Sequence, residues 1–327
     1  MRRRSFAFGV ASMFLAPASR GEAQQPGKLP RIGVLAAPSP AVLSARLESF
    51  RHGLQELGYV EGKTILMEYR LAEGRLDRLP ALATELEHLK VDVIVSSGPA
   101  STRSAKAATA TIPIVMAQDS DPVGNGFVAS LARPGGNITG LSSLSTELGG
   151  KQLELLQAMV PRLSRIAVLG QSTEPGNAKI LREVERAAGL LGIQIQHLDV
   201  RSGADIEPAF EAARKGRAGA VLVLAGPMAA SHRAQIAELA AGRRLPAMAQ
   251  ISEFVEDGGL VTYGVSLVDL WHRAATYVDK ILKGARPADL PVEQPTRFEL
   301  IVNLKAASRI GLTIPSGVLA RADRVTK

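Results

Sequence analysis

The chain has 327 residues, 46% of them hydrophobic and 21% charged, with a formal net charge of +8 and no cysteine. Two globular domains suit this length better than one, and the composition excludes a disordered or fibrous chain. The lack of cysteine excludes disulfides, thiolate metal sites and thiol catalysis, while the scattered basic residues read as solvated surface rather than a nucleic-acid stripe.

The N-terminus comes first in chain order. Arg2, Arg3 and Arg4 precede an apolar stretch from Phe6 to Ala18, and the small residues Gly21 and Ala23 precede Gln24. That order predicts a signal peptide over residues 1–23 and a mature chain beginning near Gln24. The apolar run is too short for a permanent membrane anchor. Arg3-Arg4-Ser5-Phe6 suits a twin-arginine signal as well as a Sec signal. The leader's four Arg and one Glu carry three of the eight positive charges, so cleavage leaves +5. Export without disulfides is compatible with the periplasm.

From Arg31 onward, short apolar runs alternate with stretches of helical period, the pattern of a parallel sheet covered by helices. Arg31 to Leu35 reads as a buried strand, and the loop after it offers Ser39 as a candidate ligand contact. A helix is expected over residues 41–57, with Leu43, Leu47, Phe50, Leu54 and Leu57 at three- and four-residue spacing. Next come a strand over 64–69, a helix through Leu79, Leu82, Leu86 and Leu89, and a strand over 91–95. Ser97-Gly98-Pro99-Ala100-Ser101 ends that strand and opens a helix over 100–110. Backbone N–H groups at such a helix start suit a carboxylate, and Gly98 would let it approach closely, although Ser97 or Ser101 would serve equally as a cap. The strand over 112–116 leads to Asp119-Ser120-Asp121-Pro122, where Asp119 or Asp121 would receive an ammonium group or merely hold a turn.

The second half repeats this order. Arg165 to Leu169, Ile193 to Leu198, Ala220 to Leu224 and Leu245 to Met248 answer the strands of the first half, with a helix over 178–191 answering its first helix. The near-constant spacing predicts two doubly wound parallel-sheet α/β lobes joined by a hinge. Lobe 1 is expected over 28–140 with 264–292, and lobe 2 over 141–263 with 293–327. Asn137 to Leu141 and Gly259 to Gly264 are candidate hinge segments. Ligands of such sheets sit beyond the carboxyl ends of the strands, so two facing lobes define a cleft lined by strand-to-helix loops. From the second half these loops offer Glu174 and Asn177, with Glu174 pairing an amine or lying solvated at a helix start. Met228 would give an adaptable apolar contact or fill the core. Tyr263 would stack on a ligand or pack the hinge.

Four strings carry a resemblance to a known family: Phe50 to Tyr59, Asp121-Pro122-Val123, Arg133 to Gly140, and Asn303 to Ala307. On these the chain from Arg31 to its end resembles the tryptophan/tyrosine-type ABC transporter substrate-binding proteins, whose fold is that of the type I periplasmic binding proteins. The resemblance implies an extracytoplasmic protein that captures a small-molecule solute and delivers it to an ABC permease driven by an ATPase. It also implies three crossings between lobes, the third near Phe298 to Asn303. Aromatic residues make up only 4% of the chain, with Tyr263 and Phe127 alone near the expected cleft, so a smaller or aliphatic amino-acid-like or carboxylate solute suits it at least as well as an aromatic one.

Competing classes find less support. There is no phosphate-binding lysine motif and no dinucleotide glycine fingerprint between the first strand and helix. His52, His88, His197, His232 and His272 stand apart in the sequence and read as surface or packing residues. Neither catalysis, a cofactor, a metal nor nucleic acid is expected, and the protein is expected to be a monomer. A cytosolic regulator of the same fold class would carry a helix-turn-helix module ahead of Arg31, where a leader stands instead. A periplasmic sensor docking on a receptor remains the alternative to transport.

Overall fold

A computed structural model describes residues 29–144, 148–174, 176–295 and 297–327. The signal peptide expected over 1–23, and residue 28 where lobe 1 is expected to begin, lie outside the described residues. The first half runs β1 (Arg31–Ala36), α1 (Pro40–Glu56), β2 (Leu66–Leu71), α2 (Leu79–His88), β3 (Val93–Ser97), α3 (Pro99–Ala108), β4 (Ile114–Gln118) and β5 (Ile138–Gly140). These strands form one five-stranded sheet in the order β2-β1-β3-β4-β5, every pair parallel. Parallel neighbours require crossovers, and the helices supply them. Ile32, Val34 and Ala36 of β1 pack towards Leu43, Leu47, Phe50 and Leu54 of α1, whereas Leu35 packs towards Leu79, Ala83 and Leu86 of α2. Burial on both faces explains why these strands read as continuous apolar runs rather than alternating ones.

The rest of the chain runs α4 (Gly149–Met159), β6 (Arg165–Gly170), α5 (Asn177–Leu191), β7 (Gln194–Asp199), α6 (Gly203–Lys215), β8 (Ala220–Val223), α7 (Pro227–Ser231), α8 (Arg233–Gly242), β9 (Ala247–Ala249), α9 (Glu253–Glu256) and β10 (Val261–Gly264). It continues through α10 (Leu267–Leu282), β11 (Glu299–Asn303), α11 (Leu304–Ile310), α12 (Ser316–Leu319) and β12 (Arg324–Thr326). Its seven-stranded sheet has the order β12-β11-β10-β9-β8-β6-β7, parallel except at β10–β11. Both sheets reverse direction at the same place, beside β1 in one and β6 in the other, so each is doubly wound with its own switch point.

Three of the strands of the first half lie two residues beyond their expected positions. β2, β3 and β4 were expected at 64–69, 91–95 and 112–116, and pairing carries them to Leu71, Ser97 and Gln118. The ladder sets these ends: Leu71 and Ser97 both stand opposite Ala36 of β1, and Gln118 opposite Ser97. Polar residues therefore enter the strands where the sheet meets the cleft.

The chain passes between sheets three times. The segments expected as hinges contain β5 and β10, which are paired sheet strands, and the crossings follow them directly. After β10 the chain returns to the first sheet, where α10 packs along α1 and over β4 and places Leu270, Trp271, Ala274 and Val278 in the core. Residues 299–303, expected near the third crossing, are β11 itself, and the crossing lies just before it. There Glu293 accepts from Ser142 N (2.9 Å) and donates its own N–H to Gly140 O (3.0 Å), so the first and third crossings run side by side. Among the described residues no helix is long and apolar enough to cross a membrane.

Candidate functional site

A cleft with about 800 Å³ of non-atom space, including the open solvent at its mouth, lies between the carboxyl ends of the two sheets. One wall comes from the ends of β3 and β4, the other from the loops after β6, β8 and β9.

On the first wall, Gly98 stands at the N-cap of α3, its φ of +82° is a conformation that suits glycine, and no side chain caps the helix. Pro99 has no N–H to offer, so the N–H groups of the first turn begin with Ala100. Ser97 and Gly98 line the cleft. Ser101 is fully buried behind them, and its Oγ has no hydrogen-bond partner among the described residues. The alternative role of Ser97 or Ser101 as a cap is not seen, because Gly98 occupies that position.

Asp119 follows β4 and is 1% exposed. Its Oδ1 accepts from the Asp121 backbone N–H and from Asn125 Nδ2, both at 3.0 Å. Its Oδ2 has no partner among the described residues. Burial pushes its carboxyl up to about 7, against the opposing pull of those two hydrogen bonds.

Glu174 reaches in from the other wall and is 4% exposed, with Oε2 likewise unpartnered among the described residues. Burial, reinforced by the Asp119 charge, pushes this carboxyl up to about 8, while the Arg103 charge and the Ala100 N–H oppose the shift. Glu174 thus lies against the start of α3, a helix of the opposite lobe. Beside it Asn177 donates from Nδ2 to Ala225 O at 3.0 Å and leaves Oδ1 without a partner among the described residues.

Five of the ten residues expected at the site line one cavity: Ser97, Gly98, Asp119, Glu174 and Asn177. The other five do not line it. Ser39 stands next to the lining residue Pro38, and its carbonyl accepts from Leu43 N at the start of α1. Ser101 lies one layer behind. Asp121 turns away, paired with Lys179 of α5 and accepting from Gly124 N at 2.9 Å. Met228 is 4% exposed and packs in the core under β8, because α7 points it inward. Tyr263 stacks on Phe298 with centroids 6.2 Å apart, and its carbonyl accepts from Gln152 Nε2 at 2.9 Å, which is a packing role beside the crossings.

Arg46, Gln118 and Gln250 are among the lining residues that escaped the sequence reading. Arg46 is 2% exposed and donates from Nε (3.2 Å) and Nη2 (2.8 Å) to Glu253 Oε1 across the cleft. Burial works against ionisation of Glu253, and the Arg46 charge overcomes it, holding the carboxyl below its ordinary value. Arg46 falls on the apolar stripe of α1 beside Leu43, Leu47 and Phe50, which was the available signal. Gln118 ends β4 and Gln250 follows β9, the equivalent strand of the other sheet, and the repeat alone pointed to them as a pair. No aromatic side chain lines the cavity among the described residues, and Phe127 is buried beneath Arg103 instead.

Comparison with known proteins agrees with this architecture. Residues 31–326 match the family described as ABC transporter substrate binding protein. A tyrosine-binding protein of Clostridioides difficile is 24% identical over 277 residues, covering 84% of this chain and 79% of that one. A conserved domain protein from Vibrio cholerae superposes with a TM-score of 0.85 at 28% identity, over 91% of this chain and 100% of the other. A Streptococcus pneumoniae domain solved in complex with L-Trp gives 0.82 at 27% identity, over 90% and 99%.

Proposed function

The chain belongs to the ABC transporter substrate-binding protein family, and from that premise we propose that it is the extracytoplasmic capture component of an importer for a small amino-acid-like solute. The observation that carries this reading is a pair of buried carboxylates, one from each lobe, each with an oxygen that has no partner among the described residues. Burying a carboxylate without a counter-charge is costly, and a ligand ammonium group supplies one. The start of α3 and the serines beside it would take the ligand carboxylate, with Glu174 turning towards the ammonium. Asp121 drops out of this role because Lys179 already neutralises it.

The solute's side chain would meet Pro38, Leu148, Ile180, Ile251 and Leu267, an apolar and non-aromatic surface. Relatives include a tyrosine-binding protein and a domain with bound L-Trp, yet these walls suit an aliphatic side chain equally well. The lobes are proposed to divide as 28–140 with 264–292 and 141–263 with 293–327, supported by the packing of α10 on α1 and of β11 on β10. A periplasmic location and delivery to a permease with its ATPase rest on family membership and on the leader pattern.

Calorimetric titration with the standard amino acids and with small carboxylates tests the proposal. An amino acid should bind one-to-one, and Asp119→Asn should weaken it by one to two decades, the equivalent of about 1.5–3 kcal/mol for a lost charge-assisted hydrogen bond. A neutral sugar as the best ligand, or an Asp119→Asn variant with unchanged affinity, would refute the zwitterion reading.

A further inference from the structure

We propose that His52, Glu56 and His272 form a surface site for a transition-metal dication such as Zn²⁺ or Ni²⁺, clamping α1 to α10. His272 stands far from His52 and Glu56 in the sequence, and helix packing brings the three together. His52 and Glu56 are one helical turn apart on the same face of α1, and His272 projects from α10, the helix packed along it. His52 Nδ1 lies 3.2 Å from Glu56 Oε1, and His272 Nε2 lies 3.0 Å from Glu56 Oε2. One donor atom from each residue falls within 4.8 Å of the other two, and the imidazole centroids are 5.8 Å apart.

The backbone beneath the cluster is fixed. A Cβ on Gly53 would stand 2.6 Å from His272 O, so the helices touch through their main chains beside the two histidines. One turn away Ser49 Oγ donates to Val268 O at 3.0 Å. Below, the buried rings of Phe50 and Trp271 meet edge-on with centroids 6.1 Å apart. Side-chain ends that reach solvent thus stand on a frame that does not have to reorganise: the exposures are 65% for His52, 52% for Glu56 and 36% for His272.

Two neutral imidazoles and a carboxylate are the donor set of Zn²⁺, Ni²⁺ and Cu²⁺, not of Mg²⁺ or Ca²⁺. Bonds of about 2.1 Å put the donors of a tetrahedral ion about 3.4 Å apart. Both histidine–glutamate separations are close to this. Rotation of the exposed His52 ring and the half-buried His272 ring would close the remaining gap, and water would complete the coordination on the open side. The site stands six residues beyond Arg46 and five beyond Leu267, about one and a half turns along each helix from the cleft wall. It is therefore separate from solute binding, and an ion there would stiffen the first lobe.

The test is titration of the untagged full chain with zinc chloride and with nickel chloride in a non-coordinating buffer, followed by calorimetry and by melting temperature. Wild type should bind one ion and melt higher when loaded. His52→Ala and His272→Ala should each weaken binding at least about tenfold and abolish the shift in melting temperature, while His88→Ala, outside the cluster, should behave as wild type. A wild-type chain that takes up neither ion, or a folded His52→Ala/His272→Ala double variant that binds as wild type does, would overturn the site and leave the cluster as ion pairs only.

Discussion

Asp119 and Glu174 make the folded state answer to pH in a defined direction. Their carboxyls stand at about 7 and about 8, against ordinary values of 3.8 and 4.5. A raised acid pKa means that the folded form holds protons which the unfolded chain releases. Below pH 4 both states are protonated and neither residue penalises folding. As pH rises from there to about 8, the solute-free fold loses stability. The melting temperature of the solute-free protein should fall across that window, and the Asp119→Asn/Glu174→Gln double variant should flatten the fall. A cationic solute group reverses the preference, so binding should release protons and tighten as pH rises towards 8. Titration in buffers of different ionisation enthalpy counts those protons, and a count of zero would separate the pair from recognition. At this same scale the sequence was informative where chemistry sits at strand ends: Ser97, Gly98, Asp119, Glu174 and Asn177 follow apolar runs that can be read directly. It carried only indirect signals for Arg46 and Gln250, and none for the meeting of His272 with His52 and Glu56, which lies across the fold.

Among the elements, α1 and α10 show most clearly what local pattern could and could not reveal. The leucine spacing of α1 disclosed its buried face, but nothing local said that the partner would come from residues 267–282. That pairing depends on the second crossing. Its close approach rests on Gly53, and a methyl group there meets the main chain of His272 rather than a side chain that can move aside. Gly53→Ala should therefore push the helices apart at a cost of about 1–3 kcal/mol, the usual range for overpacking. Denaturant unfolding should report it as a lower midpoint with an unchanged slope. A variant as stable as wild type would mean that the helices slide freely. Strand ends were misplaced by two residues for a related reason. Side-chain polarity marks where a strand stops being buried, whereas hydrogen bonding to β1 marks where it stops being a strand.

For the whole molecule, the repeat made the two-lobe plan legible, because each unit builds its own sheet from the same succession of elements. How the lobes hold together was not legible. Among the described residues two ion pairs span the cleft, Arg46 with Glu253 and Lys179 with Asp121. The first is buried, and removing one member of a buried pair costs about 3–5 kcal/mol while the other charge stays out of water. Glu253→Gln should part the lobes so that Arg46 regains hydration. Small-angle scattering should then give a larger solute-free radius of gyration than wild type, together with weaker solute binding. Identical dimensions and affinity would remove the pair from the closing mechanism.

The return of the chain through α10 and β11 has a consequence for the order of assembly. Trp271 is the chain's single tryptophan, and it sits in the core of the first sheet although more than a hundred residues of the second lobe precede it. The first lobe cannot complete its core until α10 has emerged, nor the second until β11 pairs with β10. During synthesis, both therefore wait for the last fifth of the chain. Contacts so distant in sequence close slowly, so neither core becomes compact until this last fifth of the chain is in place. The lone indole, dark to solvent only when the first core closes, is a built-in clock for that step.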